Sequence, residues 1–228
     1  MKRWIGISAA WGQDYYEHVG VSFELPNHYL KLTALENLKY FQSLYSGETH
    51  APMEVLDWVG LKAEADKKVA EYSKGMKVRL NVARSILHHP KVLFLDEPTS
   101  GLDPVNARNI KDLVLELRRG GTTVFVTTHD MMVADELCDR VAFITAGNIS
   151  LIDAPSALKK QYGTPSVRVE YLKDTQEIHH QEFPLDGLGD NGDFIHLLKA
   201  AHRVETIHTQ ESTLENIFIE VTGQALTA

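Results

Sequence analysis

The chain has 228 residues, 43% of them hydrophobic, with a formal charge of −8 and a pI of about 5.7. That composition supports a packed domain with room for a small appendage and excludes global disorder. The acidic balance argues against nucleic acid as the main partner. A single cysteine, Cys138, excludes a disulfide framework and fits a reducing compartment.

No apolar run approaches the ~18–20 residues of a membrane span. The start, Met1 to Ala10, has a basic pair and a short apolar stretch. Trp11-Gly12-Gln13-Asp14 follows without a small-residue cleavage pattern, so no signal peptide is expected. Residues 1–18 carry no strong period. Val19 to Phe23 reads as a short strand, and Glu24 to His28 as a loop by its Pro and Asn. Thr33 N-caps a helix, with Glu36 completing a capping box and Leu35, Leu38 and Phe41 on the apolar face. A second helix starts near Pro52, turns Met53, Leu56, Val59 and Leu61 inward, and stops at Gly60. Lys62 to Ala70 is charged and expected to be solvated.

A third helix starts at Ser73 and runs to about His88, with Met76, Leu80, Ala83 and Leu87 as its stripe and Arg79 outside it. Pro90 closes it. Val92 to Leu95 is an uninterrupted apolar run that reads as a strand buried on both faces. It ends in Asp96-Glu97-Pro98. Two adjacent carboxylates at the edge of a core repel each other unless something positive sits there, and a magnesium ion carrying phosphates is the natural candidate. Asp103-Pro104 opens a helix to Arg119 as N-cap and first helical residue, and Gly120-Gly121 ends it. Thr122 to Thr127 is a strand, followed by Thr128-His129-Asp130 and a helix to about Cys138. Arg140 to Thr145 and Ile149 to Ile152 form further strands. The alternation implies a mostly parallel sheet.

Pro155 to Tyr162 is a short helix, and Gly163-Thr164-Pro165 marks a domain boundary. Beyond it, Val167 to Tyr171 alternates like a half-exposed strand, Asp186 to Gly192 reads as a long loop, Val204 to Thr209 as a strand, and Thr213 to Val221 as a last helix capped by Ser212.

Four motifs fall in order: Tyr72-Ser73-Lys74-Gly75-Met76, Leu95-Asp96-Glu97-Pro98, Ser100-Gly101-Leu102-Asp103 and Thr128-His129-Asp130. Together they resemble the ATP-binding subunit of ABC transporters, in the part that follows the Walker A loop. They match its signature, Walker B, D-loop and switch histidine. The tail Ser212 to Gly223 is similar to the end of exporter-type ATPases. The resemblance implies an α/β fold: a partial P-loop NTPase of three layers over residues 1–163, with a helical subdomain at about 33–90. A small α+β accessory domain would occupy 164–228.

The same resemblance assigns roles. Asp96 would hold Mg²⁺ and Glu97 would orient or deprotonate the attacking water. His129 would touch the γ-phosphate. Ser73, Lys74 and Gly75 open a helix whose N–H groups would meet the phosphate held by a second copy. Lys74 departs from the usual glycine and Met76 from the usual glutamine. Glu24 stands where the family carries its Q-loop glutamine, and Asp103 combines helix capping with a role at the dimer seam. The cofactors implied are ATP and Mg²⁺. The partners are a membrane permease and a second ATPase subunit, with no nucleic acid. The expected location is cytoplasmic, at the inner face of the membrane.

The pattern G-x-x-x-x-G-K-[ST] occurs nowhere in the sequence. The chain is therefore expected to be N-terminally truncated and to bind ATP poorly alone. The strand at Thr122–Thr127 is expected to have an unpaired apolar edge. The function implied is coupling of Mg-ATP hydrolysis at a dimer interface to a permease. The alternative is a non-hydrolysing partner that donates its signature helix to an intact subunit. A non-transport role on DNA or the ribosome is disfavoured by the acidic charge and the lack of long coiled-coil insertions.

Overall fold

The computed structural model describes residues 12–163, 165–173, 177–210 and 212–223. They fall into two compact units, Met1–Leu137 and Cys138–Ala228.

In the first unit, β1 (Val19–Ser22), β2 (Val92–Asp96) and β3 (Thr123–Thr127) form a parallel sheet in the order β1-β2-β3. Register pairs Ser22 with Leu95 and Asp96 with Thr127. Leu93 and Leu95 are 0% and 1% exposed. Phe94 between them is 41% exposed and stacks on Phe125 across the register, ring centroids 5.2 Å apart. Among the described residues the strand is therefore covered on one face only, against the expectation from its apolar run. Four consecutive apolar side chains alternate between faces whether or not both faces are covered. Among the described residues β3 ends the strand order.

Three helices pack on one another before β2: α1 (Ala34–Gln42), α2 (Pro52–Trp58) and α3 (Lys74–Ile86). The capping box of α1 is present, with Glu36 N donating to Thr33 Oγ1 and Thr33 N donating to Glu36. Its buried face includes Asn37, whose amide pairs with the backbone of Tyr29 and Thr33, while Phe41 is only half-buried. Of the residues expected inward at α2, Leu56, Val59 and Leu61 are buried, whereas Met53 is exposed and Val55 is buried in its stead. Lys62 to Ala70 is not simply solvated. It forms two 3₁₀ turns that bury Ala65 and Val69.

α3 is buried almost all round, and Arg79 lies inside it rather than outside. Its guanidinium donates at 2.9 Å to the carbonyls of Val59 and Gly60, the end of α2. Nη1 of this buried cation is matched to orphan helix carbonyls, while Nε is buried without a hydrogen-bond partner. β1 passes so close to α3 that a β-carbon on Gly20 would lie 2.1 Å from the Ser85 carbonyl oxygen. The unit closes with α4 (Pro104–Arg119), on β3, and α5 (Met131–Leu137), against α4.

The second unit holds the antiparallel pair β4 (Val141–Thr145) and β5 (Asn148–Asp153), helix α6 (Pro155–Tyr162), and the antiparallel sheet β7-β6-β8. Its strands are β6 (Ser166–Leu172), β7 (Ile178–Pro184) and β8 (Arg203–Gln210). α7 (Gly192–Ala200) covers one face, its Leu197 meeting Val167, Val169, Tyr171 and Phe183. β7 and α7 carry no clear period in the sequence. α7 opens on Gly-Asp, poor helix formers, and is nucleated by Asn191 Oδ1 accepting from Phe194 N. The last helix, α8 (Leu214–Thr222), is capped by Thr213, one residue beyond the expected Ser212. It packs on α6 and β5. The sequence boundary at Gly163 thus falls inside this unit, because α8 returns to residues that precede it.

Candidate functional site

Parallel pairing with β3 brings Asp96 level with Thr127, whose hydroxyl donates to Asp96 Oδ1 at 2.5 Å. The next residue, Glu97, adopts φ 47°, a left-handed conformation that costs a non-glycine residue free energy. Its N–H donates to the Thr127 carbonyl at 2.9 Å, which anchors the strained turn.

The Glu97 carboxylate is fully engaged. Oε1 accepts from the His129 backbone N–H and from His129 Nδ1, each at 2.8 Å, and Oε2 accepts from Thr128 Oγ1 at 3.1 Å. A carboxylate only accepts, so the imidazole carries its proton on Nδ1. Glu97 raises the His129 pKa, chiefly through that hydrogen bond and next through its charge, while Asp130 and Glu24 contribute further. Thus Asp96, Glu97 and His129 are brought together, and Glu24 lies close enough for its charge to be felt there.

Glu24 sits in an exposed loop held to the middle of α3 by polar contacts that the sequence does not signal. Asn81 Nδ2 donates to Ser22 Oγ and to the Phe23 carbonyl, at 3.0 and 2.8 Å. Arg84 donates to the Asn27 carbonyl and to Asn81 Oδ1, each at 2.6 Å. These partners lie 57–59 residues apart, except for the Arg84–Asn81 pair, so no local pattern could reveal them.

Ser73 caps α3, its Oγ accepting from Met76 N at 3.2 Å, and Lys74 is exposed. This turn meets the Ser100–Asp103 loop rather than the acids. A β-carbon on Gly75 would lie 3.2 Å from Leu102 Cδ2, and one on Gly101, at φ 69°, would lie 3.6 Å from the Lys74 stem. Asp103 caps α4 by accepting from Val105 N and Asn106 N at 3.1 Å. The Asn106 side chain, first among its hydrogen-bond partners, holds its carboxyl below the usual range. Two clusters result, one of acids and histidine and one around the α3 tip. The loop 98–102 joins them, with Ser100 N donating to the Glu97 carbonyl.

The donor set fits a hard cation held by few protein ligands. Asp96 offers carboxylate oxygen beside the Thr127 hydroxyl. Among the described residues no three His, Cys, Asp or Glu groups could cage a metal by themselves. That suits Mg²⁺, which keeps waters and phosphate oxygens in its shell. Among the described residues, no helix is long and apolar enough to cross a membrane.

Comparison with known proteins agrees with these features. Residues 6–100 match the family model described as ABC transporter, and 166–211 match the fluoroquinolone efflux ABC transporter C-terminal domain. A fluoroquinolones export ATP-binding protein of Mycobacterium tuberculosis is 54% identical over 224 residues, covering 98% of this chain and 74% of the relative. A bacitracin transport ATP-binding protein of Bacillus licheniformis is 32% identical over 230 residues, covering 92% and 75%. Among solved structures, a dimeric ATP-binding cassette in a post-hydrolysis state, bound to ADP and Pi, aligns with TM-score 0.56 at 26% identity, covering 63% of this chain and 67% of that one.

Proposed function

The chain belongs to the ATP-binding proteins of ABC transporters, and from that premise we propose that it works at a nucleotide-dependent dimer seam beneath a membrane permease. The observation that carries the reading is the Glu97 carboxylate held by His129 and Thr128 directly beside Asp96. Asp96 would hold Mg²⁺, with Thr127 orienting its carboxylate. Bound Mg²⁺ neutralises developing charge on the transferring phosphoryl group. Glu97 would position a water and accept its proton once His129 turns toward phosphate. Ser73 and Gly75 would present the α3 tip to a phosphate held by the second subunit, and Lys74 would add a cation there. Asp103 would meet the partner across the seam. Because Asn81 and Arg84 tie the Glu24 loop to α3, movement of a permease against that loop would be passed to the α3 tip.

The family relation to fluoroquinolone and bacitracin transporters supports export as the direction and bulky antibiotics as the cargo class. The sequence contains no G-x-x-x-x-G-K-[ST] pattern, and we propose that this polypeptide contributes the acids and the signature tip but binds Mg-ATP weakly by itself. Equilibrium titration of the isolated chain with Mg-ATP tests this. Weak, millimolar binding is expected, and micromolar binding would overturn it. The alternative role, a non-hydrolysing donor of the signature helix, is favoured if Glu97→Gln leaves the activity of a mixture with an intact homologue unchanged.

A further inference from the structure

The first unit contains a cavity of about 400 Å³ that plays no part in the site above. Lys91 and Thr122, the residues just before β2 and β3, lie on its wall. Asp96 and Thr127 end the same strands. A five-residue strand spans about 16 Å, so the cavity opens at the opposite end of the sheet from the acids. Its other walls come from the approach to α2, the end of α3 and the last turns of α4.

The lining is aromatic on one side. His50 meets Trp58 edge-on, ring centroids 4.6 Å apart, and lies 3.5 Å from the His89 ring at 45°. His89 is placed there by a left-handed backbone, φ 50°. Burial, and then the neighbouring His89, push the His50 pKa down, which favours its neutral ring. Leu113 and Leu117 supply an apolar wall opposite. The floor is bare backbone at Gly121, where φ is 98° and an added β-carbon would meet nothing within 4 Å. The rim carries the Glu116 carboxylate, one turn before the carboxyl end of α4; Lys91 belongs to the same lining, and Arg118 and Arg119 stand in the last turn of the helix.

We propose that this cavity binds a planar heteroaromatic amine. The volume lies within the range of small-molecule sites, the ring corner and leucine wall suit a flat fused-ring body, and the Glu116 carboxylate suits a protonated amine. An occupant would brace the far ends of α3 and α4. The near ends of those helices are Ser73–Gly75 and Asp103, about 20 Å away along α3, so occupancy would bias how the two tips sit against each other. The inference does not depend on the nucleotide reading, and its test needs no ATP.

Calorimetry and saturation-transfer NMR on the full chain test it, with 4-aminoquinoline as the cationic probe, quinoline as the neutral one and 2-naphthoate as the anionic one. Saturable 4-aminoquinoline binding with a Kd below about 1 mM is expected, at least about five-fold tighter than for 2-naphthoate. Glu116→Gln, an exposed change that should leave the thermal melt unaltered, is expected to weaken the cationic probe about three- to ten-fold and leave quinoline unchanged. Trp58→Leu should weaken both. Absence of saturable binding, equal affinity for the anion, or indifference of the cationic probe to Glu116→Gln in a chain with an unaltered melt would each overturn the proposal.

Discussion

His129 and Glu97 share one proton-bearing contact, Nδ1 to Oε1 at 2.8 Å, while the backbone N–H of His129 is bound to the same oxygen. The histidine is thus locked to the acid from two directions, and its exposed ring reports directly on the carboxylate.

Glu97 raises the His129 pKa by accepting from its ring, so Glu97→Gln should return it toward 6.5. The sign for stability follows. A raised folded pKa means that charged His129 stabilises the fold fully below about pH 6.5, and that this contribution fades as pH rises through the folded value. Histidine proton NMR titrations of both proteins measure the midpoint. Identical midpoints would show that the contact is not made in solution.

His28 is expected to make the fold acid-sensitive. Burial first, then the charges of Arg84 and Lys77, push its pKa from 6.5 to about 4, although Nε2 donates to the Lys77 carbonyl at 2.9 Å. Its Nδ1 is buried without a partner. A depressed base pKa means that stability is complete above about pH 6.5 and is lost as pH falls toward 4, by up to about 3 kcal/mol. Urea unfolding at several pH values, for the protein and for His28→Gln, should show a slope that the variant lacks.

Gly20→Ala should destabilise the first unit by at least about 1–3 kcal/mol, because the new methyl would meet Ser85 O at 2.1 Å and Leu93 Cδ1 at 2.9 Å. Backbone oxygen cannot swing aside as a side-chain end can. A denaturation midpoint equal to that of the unsubstituted chain would mean that β1 sits further from α3.

Asn81→Ala should release the Glu24 loop. It leaves Arg84 and the Phe23 carbonyl short of partners and is expected to cost about 1–3 kcal/mol. Amide hydrogen exchange should quicken at residues 22–27 more than in the body of α3. Uniform exchange across both would count against the tether.

Ser73→Arg should abolish ATPase activity that appears when this chain is mixed with an intact homologue, since a bulky side chain would cap the α3 tip meant for the partner's phosphate. Ser73→Ala should lower helix stability by only about 1 kcal/mol. If Ser73→Arg mixtures keep full activity, the tip is not at the seam.

The acids, the histidine and the helix caps were legible because each rests on local chemistry: a strand ending in two carboxylates, Ser73, Thr33 and Asp103 followed by helix, a strand closed by Thr-His-Asp. The contacts that arrange them were not. Thr127 reaches Asp96 only through strand register, and Asn81 holds the Glu24 loop only because α3 crosses β1. Arg79 read as a surface cation because its partners, the carbonyls of Val59 and Gly60, are backbone atoms that no residue pattern announces.

Sequence by itself determined which segments are strands, helices and caps in the first unit, and which side chains carry charge into the site, since these follow from short-range periodicity and hydrogen bonding. Tertiary structure alone decided which faces are covered. Phe94 stands 41% exposed inside an apolar run, and Arg79 is buried inside a charged one. Burial is set by what packs against an element, and that information lies tens of residues away along the chain.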